Sequence, residues 1–452
     1  MQSWHLHCTI CASVYQEFTE KVVPYGKGVP MPIVQPPSIV QNVLDENFAS
    51  LFKNTAQRKH IANYITGLMI SENKTITGIT DAMSNASDQS CLNRFLTEVE
   101  WDEQALNQKR IDWLQQSDDT QFHPRGIIAL DDVLLEKSGK FIKDSGTFWD
   151  HSRQCYTHAQ DLIIINYVHP FSGKHYPLEF RRFKKADQCE WTGEQFKQMT
   201  ELSIELIDWC QEHNVLGTFT FDSFYTNAAI QNHINSLKNP DGTERGYVGD
   251  LKFNRLLTFK GVQQQATKFA STIPPDDRKP ITLDGKKQWY LTVCVKLPNV
   301  DHKVRVVILW KYKNDAEPKK ILVTNKIHWN AERIITTYRG RWTGTETFHR
   351  DGKQELGLED CQLRSGTGQT RHIYCVFLAY SLLVQQLDKT SLSDWAGVKL
   401  TTIGESCRAL LKVSLRSLIE WVVEQMEAAM EIGVNSKRRM DRVYRRLGLA
   451  HN

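Results

Sequence analysis

The chain has 452 residues, 40% of them hydrophobic, ten scattered cysteines and a formal net charge of +4. This length accommodates two to four globular domains with ordinary buried cores. No signal peptide and no apolar run approaching about 18 residues is present, and the cysteines form no spaced framework, which excludes a membrane protein and a disulfide-built secreted fold. The cysteines read as reduced thiols of a cytoplasmic protein. So small a charge does not by itself announce nucleic acid, and local clustering must carry any such case.

Residues 1–37 read as a poorly ordered extension and linker. His5, His7, Cys8 and Cys11 make only a weak zinc pattern, with no second ligand pair downstream, and Val29 to Pro37 is an extended Pro-rich run. Residues 38–120 are helical in pattern throughout. Ile61, Tyr64, Leu68 and Met69 fall at helix spacing, and two short helices, Ile76 to Met83 and Cys91 to Leu96, flank the polar turn 84–87. That pair fits either a helix-turn-helix that would bind DNA or a plain bundle.

The apolar run Gly126 to Asp132 then ends in two acids, and Gly217 to Asp222 ends in one. Apolar strands ending in Asp present a carboxylate at a sheet edge. Asp131 and Asp132 are adjacent, so on a strand they face opposite ways and one alone can join a site. Between the two runs, Leu162 to Tyr167 and His175 to Phe183 read as strands and Glu194 to His213 as an amphipathic helix. Asp222 could also be a helix N-cap, because a helix, Ala228 to Leu237, follows closely.

Between Asp222 and Glu346 stand 123 residues, more than one crossover needs. A β-rich insertion is expected over 258–326, with strands Trp289 to Leu297, Val304 to Tyr312 and Ile321 to Thr324 forming a small antiparallel sheet. The helical stretch Tyr338 to Gly357 combines Tyr338, Arg339, Arg341, Trp342, Arg350 and Lys353 with Glu346. Glu346 and Lys353, seven residues apart, share a helix face. Forked cations for phosphate, aromatics for a base and a magnesium-holding acid point to chemistry on nucleic acid. Two acid-tipped strands plus a later helical acid would hold two divalent ions about 3.5 to 4 Å apart, which suits in-line phosphoryl transfer. The closing regions are a buried helix, Gln369 to Leu387, then a helical region over 391–452. Its tail, Lys437 to Arg446, includes Lys437, Arg438 and Arg439 and carries six basic residues against one acid.

The order Asp131, Asp222, Glu346, with Tyr338-x2-Arg341 before the Glu and x6-Lys353 after it, resembles the DDE transposases of bacterial insertion sequences that carry the YREK signature. The resemblance spans roughly residues 35–430. It implies an α/β, RNase H-like core, a mixed sheet flanked by helices over 121–257 and 327–390, with a β-rich insertion before Glu346, and beside such a core the all-α stretch 38–120 is expected to be a DNA-binding domain. It also implies magnesium-dependent cleavage and strand transfer, with Mn2+ able to substitute for Mg2+. Asp131, Asp222 and Glu346 would be the metal ligands, with Asp132 as fallback to Asp131, and Tyr338, Arg341 and Lys353 would position the strand. The partners implied are double-stranded DNA, as terminal inverted repeats and as target, and a second copy in a dimeric synaptic complex; the protein would be nucleoid-associated when on DNA. Trp289, Trp310, Trp329 and Trp342 are candidates for stacking on a flipped base, Trp342 and Trp289 foremost.

One departure stands out. Four residues, Trp342 to Thr345, separate Arg341 from Glu346 where the signature has three, which would turn Glu346 about 100° from the expected face of a regular helix. Either a π-bulge near Gly344 absorbs the extra residue, or the helix breaks and restarts there. Thr343-x-x-Glu346 also fits a capping box, in which Glu346 would merely satisfy a backbone N–H. Beside the transposase reading stand three others: an RNase H-like nuclease that cuts without joining, an inactive DNA-binding relic, and a glycosidase using two carboxylates.

Overall fold

The computed structural model describes residues 33–84, 88–389 and 399–431. The zinc-like cluster of His5, His7, Cys8 and Cys11, the first four residues of the Pro-rich run and the basic tail with Lys437, Arg438 and Arg439 lie outside the described residues. The chain begins with α1 (Ser38–Val43), α2 (Thr55–Ile70), α3 (Ile76–Ala82), α4 (Gln89–Thr97) and α5 (Glu103–Leu114). Each of α2 to α5 starts on a side-chain cap, from Asn54, Thr75, Asp88 and Asp102 in turn. Those oxygens satisfy amides that a first helical turn leaves without partners.

These helices do not stand alone. α2, α4 and α5 pack against α12 (Gly366–Gln386), which is buried around nearly the whole circumference, as in a helix enclosed by protein. Buried cations fasten the two ends of the chain together. Arg110 reaches Asn107, Ser381 Oγ at 2.9 Å and the carbonyl of Leu178 at 3.1 Å. Arg371 donates to the carbonyls of Val99 at 2.8 Å and Trp101 at 2.7 Å and pairs with Glu103 at 3.1 Å. Such charges remain buried only because every direction offers an acceptor.

Twelve strands are described: β1 (Ile127–Glu136), β2 (Gly146–Asp150), β3 (Cys155–Val168), β4 (His175–Phe183), β5 (Thr218–Phe221), β6 (Gly246–Asp250), β7 (Leu256–Phe259), β8 (Val262–Gln265), β9 (Lys279–Leu283), β10 (Lys286–Val295), β11 (Val304–Trp310) and β12 (Lys320–Thr324). Ten of them make one sheet in the order β2-β3-β1-β5-β6-β12-β11-β10-β9, with β4 also on β3. β1, β5 and β6 run parallel, whereas β3 is antiparallel to β1 and β12 antiparallel to β6. This is the mixed sheet flanked by helices expected of an RNase H-like core. The crossover from β4 to β5 contains α6 (Ala186–Thr192) and α7 (Met199–Glu212), α8 (Ala228–Ser236) joins β5 to β6, and α9 (Ala266–Ser271) follows β8.

The three expected strands of the insertion, β10, β11 and β12, pair antiparallel as expected but form no sheet of their own, and β7 and β8 pair apart as a two-stranded sheet. β12 joins β6, so the three prolong the central sheet. β11, Val-Arg-Val-Val-Ile-Leu-Trp, is buried at all but one position, so both of its faces need cover. One face meets the main core through Val306, Ile308 and Trp310. The other, with Val307 and Leu309, meets Ile334, Ile335 and Tyr338 of α10 (Ala331–Gly344). Next come α11 (Glu346–Leu356), α12 and α13 (Ile403–Glu431). None of the described cysteines is in a disulfide. Among the described residues no helix is long and apolar enough to cross a membrane.

Candidate active site

β1 and β5 set Leu130 opposite Phe221 in parallel register. The next residue on each is an acid, Asp131 and Asp222, so the two lie side by side. β5 ends there, but β1 does not end at its acids as the apolar run suggested. Val133 and Leu135 keep alternating into the core, and β1 stays paired with β3 as far as Glu136. Asp131 and Asp132 therefore sit within a strand and face opposite ways. Asp132 accepts a 2.7 Å hydrogen bond from the Tyr225 hydroxyl, whereas Asp131 is ion-paired with Arg341 of α10.

Two glycines bring Arg341 there. A Cβ on Gly344 would stand 3.0 Å from Ala129 Cβ and 2.9 Å from Val168 Cγ2, and one on Gly340 would run into Ile127 Cδ1. Because Gly340 and Gly344 are four residues apart, they form one bare stripe along which α10 lies directly on β1.

At Thr345 the helix breaks and restarts, with φ −100° and ψ −65°. The bonds Thr345 N–H to Arg341 O at 2.9 Å and His349 N–H to Thr345 O at 2.8 Å persist across the break. The extra residue is absorbed at this joint. Thr343 lies inside α10 and Thr345 makes no side-chain cap, so the capping-box reading of Glu346 fails. Glu346 opens α11 half-buried, its carboxylate with no hydrogen bond or ion pair to any described residue. Nor is Asp222 a helix cap: Asn227 caps α8. Asp222 instead folds a tight turn, its Oδ1 accepting from the amides of Phe224 at 2.8 Å and Tyr225 at 3.2 Å.

Burial pushes the Asp131 carboxyl up to about 7; Arg341 opposes the shift, and Asp132, Asp222 and Glu346 add to it. Four acids thus act on one another through space, with Arg341 as the cation among them. Among the described residues, no three His, Cys, Asp or Glu side chains converge closely enough to hold a metal ion as they stand. The donors are all hard carboxylate oxygens, the chemistry that Mg2+ takes.

The remaining expected contacts are distributed unevenly. Lys353 bonds the Leu134 carbonyl at 2.7 Å and Glu359 at 3.0 Å. Tyr338 is a core residue, with Lys320 Nζ 4.8 Å from its ring centroid. Arg339 pairs with Asp284 and Arg350 with its neighbour Asp351. Trp342 is 64% exposed, and Trp289 is half-buried beneath Lys287 and Lys313. Trp310 and Trp329 are buried under Arg278 and Arg333 and have no face for a base.

Sequence reasoning missed Asp161, Tyr225 and His349. Asp161 is buried on the Asp132 face of the sheet, its Oδ1 lacks a partner among the described residues, and burial followed by the Asp132 charge pushes it up to about 8. His349, one turn beyond Glu346, is pushed down to about 3 by burial, then by Lys353 and Arg341, and its Nε2 is unpartnered among the described residues. Neither residue carries a motif; only the register of β3 and the restart of α11 bring them to the acids.

Two protein-family models match the sequence. DDE superfamily endonuclease covers residues 47–240 and transposase DDE domain covers residues 198–382. The first includes Asp131 and Asp222, the second Asp222 and Glu346, and the two overlap on β5. The chain belongs to the DDE transposases, and its function is of the transposase-type nuclease class, with DNA as substrate. No curated protein matches the sequence.

Proposed function

We propose that this chain is an insertion-sequence transposase that cuts DNA at the ends of its element and joins them to target DNA. One observation carries the reading: Asp131 on β1 and Asp222 just past β5 follow the registered pair Leu130 and Phe221 on adjacent parallel strands, the glycine-backed α10 brings Arg341 to Asp131, and the restart at α11 brings Glu346 close enough to act on it. Asp131, Asp222 and Glu346 would hold the magnesium ions, two in number, with Mn2+ able to replace them. The commitment of Asp132 to Tyr225 supports Asp131 over Asp132 as the ligand. Bound there, the metal supplies positive charge for the attacking and leaving oxygens.

The chain's own groups bind and orient. The guanidinium that neutralises Asp131 has the forked geometry that fits two phosphate oxygens, so Arg341 is the residue that grips the reacting phosphodiester. Lys353, on α11 with Glu346, holds the Leu134 carbonyl of the strand that carries Asp131, and Tyr338 braces α10 against Lys320. Arg339, Arg350, Trp342, Trp289 and the tail residues Lys437, Arg438 and Arg439 extend the contact along the backbone. The substrate is double-stranded DNA with terminal inverted repeats, and joining two ends at once calls for a dimer.

The test is cleavage and strand transfer on a labelled duplex carrying the flanking terminal repeats, with Mg2+ or with EDTA, comparing wild type with Glu346→Gln. Nicking and joining that need Mg2+ and vanish in the variant are expected. Nicking without joining would leave a structure-selective nuclease, and DNA binding without cutting by either protein would leave a relic.

A further inference from the structure

The β2–β3 hairpin carries an aromatic pair that the core does not use. Trp149 and Tyr156 are cross-strand partners with ring centroids 5.0 Å apart at 74°. Strand alternation sends their neighbour Phe148 inward against Phe183 and leaves this pair outward. Trp149 is 39% and Tyr156 72% exposed, although burying rings of this size is ordinarily favourable. Arg153, in the turn that joins the two strands, is paired with Asp150 and Glu136, and the cations of the loop before β2 are open. Lys140, Lys143, Arg153 and Arg364 all reach solvent, and Arg364 lies 5.8 Å from the centroid of Phe141, a third exposed ring. The acid of this loop, Asp144, is already paired with Arg182 and Lys184.

The hairpin adjoins the acids. Arg153 in its turn is ion-paired with Glu136, the last residue of the strand that carries Asp131. The turn also comes close enough for Lys353 to act on Asp150 and for His151 to act on Asp132. Any strand held at Asp131 therefore has this surface within reach. A base on a phosphate backbone suits this surface: it supplies a π-face for the outward rings and negative charge for the exposed Lys140 and Lys143 of the loop that leads into β2.

We propose that Trp149 and Tyr156 form a stacking platform for an unpaired nucleobase of the DNA strand that passes the acids. The proposal rests on the reading of this chain as a DNA-cleaving transposase and adds to it the recognition of a frayed or single-stranded end. Stacking tolerates any base, so the platform adds grip on an opened strand without adding sequence preference.

The test uses the full chain in EDTA and two fluorescent 30-base-pair duplexes, one blunt and one with a three-nucleotide single-stranded overhang containing 2-aminopurine. Binding is read by anisotropy and stacking by 2-aminopurine quenching. Wild type is expected to prefer the overhang and quench its fluorescence. Trp149→Ala and Tyr156→Ala should weaken overhang binding roughly 5- to 150-fold, the range spanned by stacking of one base, and leave blunt-duplex binding within about twofold. Trp149→Phe should restore most of the loss, and Tyr312→Ala, at an exposed ring elsewhere, should have no effect. Equal loss on both duplexes, or no loss on either, overturns the platform and leaves the DNA reading intact. Failure of wild type to bind either duplex overturns both.

Discussion

Replacing Arg341 by Gln removes the cation that faces Asp131 while keeping a hydrogen-bonding group of similar length. The partners are 12% and 13% exposed, so solvent screens the pair weakly, and a charge-assisted bond of this kind is worth roughly 1.5 to 3 kcal/mol. At 1.36 kcal/mol per pKa unit this corresponds to about one to two units, which would lift Asp131 from about 7 to about 8 or 9. The sign follows from linkage. A carboxyl raised in the folded state contributes stability that is fully present below its unfolded value near 4 and is lost as pH rises through the folded value. Wild type loses that contribution by about pH 7, and the variant goes on losing it to about pH 9. The penalty for losing Arg341 should therefore be small at pH 5 and grow to about 2 kcal/mol at pH 9, with most of the growth above pH 7. Urea unfolding of both proteins in EDTA at pH 5, 7 and 9 measures it. A penalty equal at pH 5 and pH 9 would refute the reasoning, because the ion pair would then not govern the charge on Asp131.

Gly344→Ala should destabilise by about 1 to 3 kcal/mol through overpacking against Ala129 and Val168, although the same change in an open helix gains roughly 1 kcal/mol; thermal melts decide the sign. Tyr225→Phe removes the 2.7 Å bond to Asp132 and should cost about 1.5 to 3 kcal/mol at pH 8, read by urea unfolding. Asp161→Asn should raise the melting temperature at pH 8, where wild type bears the burial of a carboxyl pushed up to about 8. That gain should fade toward pH 4, where the acid is protonated folded and unfolded alike; an equal gain at both pH values would show that charge is not its cause.

Much of the fold could be read from pattern. Alternation over His175 to Phe183 and the apolar run of α12 are periodic signals, and their expected bounds fall within about three residues of those observed. The parallel neighbours β1 and β5 were also legible as apolar runs tipped with acid. Pairing partners were not. Nothing in the composition of β12 says that it joins β6, because strand pairing is decided by which faces need cover and not by the strand's own residues. β2 went unread because its five residues, Gly146 to Asp150, are half exposed and lack alternation over a useful length. At the site, spacing raised the break before Glu346 but could not choose among a bulge, a restart and a cap. The seat of Gly340 and Gly344 on β1 is a tertiary constraint that the helix period does not contain. Trp310 and Trp329 illustrate the same limit, since a tryptophan that will be buried under an arginine looks in sequence like one that will meet a base.

The bond between Arg110 and Ser381 spans 271 residues, and it says something about how this protein comes into being. A ribosome adds about 5 to 20 residues per second, so the first helices wait from roughly a quarter of a minute to about a minute for the helix that covers them. During that time their apolar faces have no native partner, and the early part of the chain is exposed to chaperones, proteases and its own aggregation. Every nascent chain that stops before residue 386 leaves that face open. Translation past residue 386 is therefore itself a checkpoint on how much active enzyme a cell contains.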